Sequence, residues 1–172
     1  MTKLEAVAVV RAPREAVFEF LSELDNHWRV ADRFVDVIRL DGPGDGAADG
    51  GLVQLRGPLG LRRTVLTRVE QMEAPALIVG TADIGTRTRA HVYWSLSPSD
   101  TLSRSPRDAG TVVSLAAEVH SASPLDRLLL ALGGRAWLER RLASTLAHLA
   151  RHFGVREPVA GPGGPALVGG SA

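Results

Sequence analysis

His91 and Glu118 are residues whose types suit general acid–base catalysis. Each lies on the polar side of an alternating run that is typical of a β-strand, and Arg89 lies near His91 on that side. If the two strands are neighbours, the imidazole and the carboxylate meet across the sheet. A solvent-facing charge pair, which contributes roughly a few tenths of a kcal/mol, explains the same pattern and is the favoured interpretation.

Arg63 and Thr67 form a second candidate, because the alternation of their predicted strand puts them on one face with the apolar Val65. A guanidinium on an apolar wall can bind a carboxylate or stabilise an enolate oxygen, since it stays charged and donates several hydrogen bonds. Alternatively, Arg63 lies at the strand end and reaches solvent. Thr81 and Asp83 pose the same question on the next strand, where an inward Asp83 needs a partner such as Arg63.

The remaining histidines do not predict a metal site. His148 and His152 have the four-residue spacing of a helical ligand pair, but no acidic third ligand is near them. His27, beside Trp28, could donate a hydrogen bond to a ligand, but a position at the surface is favoured. The chain has no cysteine, which excludes disulfides and thiol catalysis. Phosphate-loop, dinucleotide-binding and nucleophile-elbow motifs are also missing from the sequence, so no cofactor is predicted.

Length and composition predict one domain with a core of its own. The chain has 172 residues, of which 45% are hydrophobic and 23% charged. Its net charge of +1 argues against a nucleic-acid partner. The N-terminal residues lack a long apolar stretch, so a cytoplasmic location is expected. The Gly- and Pro-rich residues 155–172 are predicted to be a disordered tail after a single domain at 1–154.

Hydrophobic periodicity predicts a strand, two short helices, six more strands and a long helix. The first helix is expected to break at Asp25 and Asn26, with a second helix at 27–33. Ser123 and Asp126 flank a typical helix start, and this last helix runs to about residue 153 with a kink at its glycine pair. Short connections between strands indicate an antiparallel meander. The predicted strands span 4–10, 35–40, 52–56, 61–72, 76–84, 87–97 and 111–120.

This order of elements resembles the SRPBCC superfamily, also known as START-like or helix-grip, in its polyketide cyclase/dehydrase and lipid-transport branch. The matching segments are Ala12-Pro13-Arg14-Glu15-Ala16-Val17-Phe18, Asn26-His27-Trp28, Gly110-Thr111-Val112-Val113 and the closing helix. The resemblance covers about residues 3–153. It implies an α+β helix-grip fold, in which a seven-stranded antiparallel sheet wraps a long C-terminal helix, with two short helices after strand 1. It also implies a cavity for a lipid, sterol, quinone or polyketide.

Binding of a hydrophobic small molecule in that cavity is the leading functional prediction. The alternative is a cyclase or dehydratase without metal or nucleotide cofactor, in which Arg63 or Thr67 polarises a carbonyl. The family resemblance does not decide between them, because its members include binders and enzymes. The residues expected to contact the ligand are Trp28, Phe34, Arg63, Val65, Thr67, Thr81, Val92, Trp94, Leu115, Leu138 and Leu142.

The start of the last helix suggests a third function. Residues 128–132 are apolar nearly all round the helix, and Trp137 falls opposite the apolar stripe beside Arg140 and Arg141. If this segment is exposed, it can dock on a membrane surface or on a second copy of the chain. Alternatively, the first helix or a loop covers Leu130 and Trp137. Both interpretations stay open at the level of sequence.

Overall fold

Seven β-strands and four α-helices make up the described part of the chain. The computed structural model describes residues 2–31, 34–41, 50–57, 60–99 and 110–154. The strands are β1 (Thr2–Val10), β2 (Val35–Asp41), β3 (Gly50–Arg56), β4 (Arg62–Glu73), β5 (Leu77–Ile84), β6 (Thr88–Ser99) and β7 (Gly110–Ser121). The helices are α1 (Arg14–Ser22), α2 (Leu24–Ala31), α3 (Pro124–Leu129) and α4 (Arg135–Gly154), with a π-helical turn at Leu130–Gly134 between the last two.

The strands form one antiparallel sheet in the order β1-β7-β6-β5-β4-β3-β2. Only β1 departs from chain order, and it pairs with β7 along its whole length. The long α4 packs on β1 and α2. The predicted α+β architecture, with two short helices after the first strand and a long C-terminal helix, is therefore confirmed.

Alternation on the central strands separates an apolar inner face from a polar outer face. Trp94 on β6 pairs with Leu115 on β7, and their exposed fractions are 6% and 3%. On the outer face, His91 lies directly opposite Glu118, as the sequence predicted. The apolar stripes of α4 and the sheet meet in one core that includes Leu146 and Leu149. The acid–base candidates therefore lie on the side of the sheet opposite this core.

The corner between α1 and α2 differs from the prediction. The helix break falls at Glu23 rather than at Asp25 and Asn26, which belong to α2. The Asn26 side chain donates hydrogen bonds to the Phe20 carbonyl oxygen at 2.9 Å and to a Glu23 carboxylate oxygen at 3.0 Å. An asparagine that was expected to end the helix therefore fastens the corner from inside α2.

The start of the C-terminal helix agrees with its sequence signature. Ser123 is the N-cap, and its hydroxyl accepts a hydrogen bond from the Asp126 backbone N–H at 3.1 Å. The predicted kink is the π-helical turn, where Gly133 has a φ of 104°. That conformation favours glycine, so the residue permits the change of direction between α3 and α4.

Two predicted features fall outside the described residues: most of the glycine-rich turn at 41–51, and the tail at 155–172. Of the helices that the structure describes, none has the length and apolar character needed to cross a bilayer.

Candidate ligand-binding cavity

A cavity of about 240 Å³ lies between the inner face of the sheet and helices α2 and α4. Its walls are mainly aliphatic and aromatic. The side chains from α2 and α4 include Trp28, Leu138 and Leu142, and those from β6 and β7 include Val92 and Leu115. Because a cavity of about 150 Å³ holds benzene, this one has room for between one and two aromatic rings.

Nine of the eleven residues expected to contact a ligand line this cavity. They are Trp28, Phe34, Thr67, Thr81, Val92, Trp94, Leu115, Leu138 and Leu142. The other two are on β4. Val65 is only 2% exposed but is not part of the cavity wall, and Arg63 lies nearer the end of its strand. The structure thus places most of the expected set around one space.

Arg63 forms an ion pair within the protein instead of the expected contact with a ligand. Its guanidinium Nη2 lies 2.6 Å from a carboxylate oxygen of Asp126, at the start of α3. It does not line the cavity, as the sequence hypothesis required, but lies at the strand end with its side chain 32% exposed, as in the alternative. The residue joins the end of β4 to the N-terminus of the C-terminal helix.

Thr81 borders the cavity together with its register partner Arg68, although its other partner, His91, lies on the outer face. The adjacent Gly80 explains how the two strands approach there. A Cβ at Gly80 would lie 2.8 Å from the Arg68 carbonyl oxygen, next to a register shift in β4. The β5 residues that point inward are those in register with the inner face of β6: Ile78, Gly80, Ala82 and Ile84.

Asp83 faces away from the cavity and pairs with Arg89, not with Arg63. Both of its carboxylate oxygens accept hydrogen bonds from that guanidinium, at 2.5 and 3.2 Å. The Arg89 hydrogen bond lowers the pKa of Asp83 below its ordinary value. This exposed pair belongs to the outer surface of the sheet.

His27 lines the cavity, in line with the less favoured of its two sequence interpretations. It is 8% exposed, whereas a surface position was favoured. Its Nε2 donates to the Leu21 carbonyl oxygen, which can only accept. Burial lowers the pKa of His27 to about 4, so the ring is neutral at pH 7 and Nδ1 is an acceptor. Leu24, His27 and Ala31 have the three- and four-residue spacing of a buried helical stripe, and this spacing is the sequence feature that indicates an inward position for His27.

The cavity wall offers one further unused polar group, the indole N–H of Trp28. Its Nε1 is buried and has no hydrogen-bond partner among the described residues. Of the three threonines that line the cavity, two have engaged hydroxyls, since Thr67 donates to the Gly51 carbonyl oxygen at 3.1 Å and Thr145 to the Arg141 carbonyl oxygen at 3.0 Å. The arrangement therefore provides one acceptor and one donor on consecutive residues of α2, within apolar walls.

Phe34 covers Trp137, which answers part of the question about the start of the last helix. The two rings meet edge to face with centroids 6.2 Å apart, and the Arg141 guanidinium lies 5.3 Å from the centroid of Trp137. Leu130 is half-buried. Leu128 and Leu132, in contrast, are exposed.

The helical histidine pair holds α4 to its neighbours. His148 Nδ1 lies 3.2 Å from the Val30 carbonyl oxygen, and the His152 ring lies 4.4 Å from the ring of Phe20. In the part of the chain that the structure describes, no three His, Asp or Glu side chains are grouped as metal ligands.

Asp126 is the centre of a polar cluster that fixes α3 to the sheet. Besides the ion pair with Arg63, its carboxylate accepts hydrogen bonds from the hydroxyls of Thr88 and Ser123, at 2.5 and 2.7 Å. Burial by itself raises the pKa of Asp126, but the hydrogen bonds from Thr88 and Ser123 and the charge of Arg63 outweigh it, so the pKa is lowered. The cluster needs the ionised carboxylate.

We expect Asp126→Asn to lower the free energy of unfolding by about 2 kcal/mol at pH 7, because hydrogen bonds to a charged group are stronger than neutral ones. Urea denaturation measures this. Asp83→Asn, which breaks the exposed pair with Arg89, is the control and should cost less than about 1 kcal/mol. The gap between wild type and Asp126→Asn should narrow as pH falls below 3.8, because the unfolded chain then binds a proton that the folded carboxylate, with its lowered pKa, does not. Equal costs for the two variants would contradict a stabilising cluster.

Comparisons with known proteins agree with this architecture. A family model described as "Polyketide cyclase / dehydrase and lipid transport" matches residues 1–154. Among curated proteins, no sequence matches the chain significantly. A protein of Thermus thermophilus has a similar structure at 17% identity and a TM-score of 0.63, covering 88% of this chain and 97% of its own.

Two further solved structures are similar. For a START superfamily protein of Mycobacterium smegmatis, identity is 15% and the TM-score 0.58, over 87% of this chain and 97% of the other. For DynU16, a protein in the dynemicin biosynthetic locus, identity is 16% and the TM-score 0.55, over 89% of this chain and 47% of the other. At these identities the similarity concerns the fold alone.

Proposed function

The chain belongs to the polyketide cyclase/dehydrase and lipid-transport family, and from this premise we propose that it binds a hydrophobic small molecule in the cavity between the sheet and α4. The observation that carries the proposal is the cavity itself, a space of about 240 Å³ with mainly apolar walls inside a folded domain. Filling it with an apolar molecule removes hydrophobic surface from water on both partners.

The polar groups of α2 narrow the ligand class. His27 Nδ1 is a neutral acceptor, and the Trp28 indole N–H is a buried donor without a partner in the described residues. A ligand hydroxyl at one edge can donate to His27 Nδ1 and accept from the Trp28 N–H, whereas a carbonyl oxygen can accept from the Trp28 N–H alone. The ligand is therefore a molecule with one or two apolar rings and an oxygen-bearing edge, such as a phenol, a quinone or a short aromatic polyketide.

We propose binding rather than catalysis because several polar groups that could act on a substrate are already hydrogen-bonded or ion-paired within the protein. A cyclase or dehydratase needs groups that converge on a reacting carbonyl. Here the Thr67 and Thr145 hydroxyls donate to backbone carbonyl oxygens, and Arg63 is paired with Asp126. The His27 imidazole has a low pKa, which makes it a weak base at pH 7.

Native mass spectrometry of freshly purified protein, followed by organic extraction, is the first test. A molecule that co-purifies at near one-to-one and carries a ring and an oxygen supports the proposal and identifies the ligand. Titration with 1-naphthol then measures affinity, with naphthalene as the matched compound without the hydroxyl. Because Trp28 and Trp94 line the cavity and Trp137 does not, a Trp137→Phe background reports quenching at the site.

We expect 1-naphthol to bind about fivefold more tightly than naphthalene, since one hydrogen bond contributes about 1 kcal/mol. Conversion of an extracted ligand into a new product would replace the binding proposal with the catalytic one. Failure of both compounds to quench the cavity tryptophans, in a protein that also co-purifies with nothing, would contradict the proposal.

A further inference from the structure

Three leucines at the start of the C-terminal helix form an exposed ridge outside the cavity. Leu125, Leu128 and Leu132 are 55%, 54% and 75% exposed, although leucine is usually buried. Their spacing of three and four residues places them along one side of α3 and the π-helical turn. Leu128 and Leu132 belong to the segment that sequence analysis singled out for docking. We refer to these three residues as the leucine ridge.

Arginines outnumber acidic residues in the helical segment that carries the leucine ridge. Residues 122–154 contain five arginines and two carboxylates, whereas the whole chain has a net charge of only +1. Both carboxylates are engaged, Asp126 by Arg63 and Glu139 by Arg135. Arg127 lies next to the ridge, is exposed, and forms no ion pair within the described residues. The ridge is therefore an apolar strip in a positive surface.

A cleft beside the leucine ridge extends this positive surface inward. It has a volume of about 430 Å³, lies between α3 and the ends of β1 and β7, and is lined by Arg127, Arg135 and His120. Its lining residues include no carboxylate. The cleft has the size and charge to receive an anionic group while the neighbouring leucines contact an apolar phase.

We infer that the leucine ridge and the cleft beside it dock the protein on an anionic phospholipid membrane. The leucines enter the boundary between headgroups and acyl chains, and Arg127, which has no ion-pair partner among the described residues, binds a lipid phosphate. This inference goes beyond the proposed ligand binding and does not depend on it. Among the described residues, Val119 alone borders both the cleft and the cavity.

A second copy of the chain fits this surface less well. In a two-fold dimer the same patch faces itself, so Arg127 would approach the partner's arginine-rich helix and repel it. A stable dimer also buries about 20–30 residues a side, whereas the ridge consists of three leucines. An anionic surface satisfies both the apolar strip and the surrounding charge.

Co-sedimentation of the full chain with vesicles tests the inference. The probes are phosphatidylcholine vesicles and vesicles of phosphatidylcholine with phosphatidylglycerol in a 7:3 ratio, without added cavity ligand. We expect at least tenfold stronger partitioning into the anionic vesicles, weakened by added NaCl. Leu128→Gln/Leu132→Gln should lower it tenfold or more, and Arg127→Gln about fivefold.

Val7→Gln/Met72→Gln is the matched control, because it removes two exposed apolar side chains elsewhere on the sheet. It should leave partitioning unchanged. Equal partitioning into neutral and anionic vesicles, or an equal loss in the control, would overturn the inference. Self-association that light scattering detects, and that Leu128→Gln/Leu132→Gln abolishes in a protein that binds no vesicles, would assign the ridge to a second copy instead.

Discussion

Lowering the pH from 8 to 5 is expected to reduce the free energy of unfolding by about 2 kcal/mol through His27 alone. Burial lowers the pKa of this histidine from 6.5 to about 4. Between those values the unfolded chain binds a proton that the folded protein does not, so stability falls as the pH falls. Each unit between 6.5 and the working pH contributes about 1.4 kcal/mol. Above pH 6.5 the imidazole is neutral in both states and contributes no slope.

His27→Gln isolates this contribution, because a glutamine amide can still donate to the Leu21 carbonyl oxygen but does not titrate. Urea denaturation of both proteins at pH 8 and pH 5 gives the difference. His120→Gln, a substitution of the same kind at an exposed position, controls for loss of an imidazole as such. A His27→Gln variant with the wild-type pH dependence would mean that the imidazole is protonated in the folded protein near its ordinary pKa.

The walls of the cavity were predictable because they depend on local periodicity. Side chains alternate along a strand, so the sequence alone assigned Val92, Trp94 and Leu115 to the inner face, where the structure has them. The start of the C-terminal helix was predictable for the same reason, since it depends on Ser123 and Asp126, which are three residues apart and cap the same turn. Patterns of this kind need no knowledge of which strands are neighbours.

The role of Arg63 was not predictable, because its partner lies 63 residues further along the chain. Alternation correctly placed Arg63 on the face of β4 shared with Val65 and Thr67, but alternation does not say what lies opposite a strand end. The position depends on where α3 crosses the sheet. A charged residue predicted to meet a ligand therefore proved to meet Asp126.

The buried position of His27 was not the favoured prediction for a different reason, which concerns the length of α2. The helix has eight residues, so only about two turns are available to define its buried face. Trp28 and Ala31 suggested one stripe, while Leu24, His27 and Ala31 form the one that points inward. A polar side chain on a short helix is ordinarily assigned to solvent. In this protein, burial keeps the His27 imidazole neutral, so that it can accept a hydrogen bond in the cavity.

Filling the cavity should abolish ligand binding without unfolding the protein, and Ala117→Phe is the substitution that we expect to do so. Ala117 lines the cavity from the central strand β7 and pairs with Leu4 and Val92 on the neighbouring strands. A benzyl group fits within about 240 Å³, since about 150 Å³ holds benzene. The added ring occupies the ligand's space, so affinity for 1-naphthol should fall at least 100-fold, or about 2.7 kcal/mol.

The free energy of unfolding should stay the same or rise, because cavity filling commonly stabilises a domain. Ser95→Phe adds the same ring at an exposed position of β6 and should keep wild-type affinity. If Ala117→Phe does not fold, Val92→Phe makes the same test from β6, since Val92 also lines the cavity. A folded cavity variant that binds 1-naphthol as tightly as Ser95→Phe would place the ligand elsewhere, because an occupied cavity cannot also hold a ring of that size.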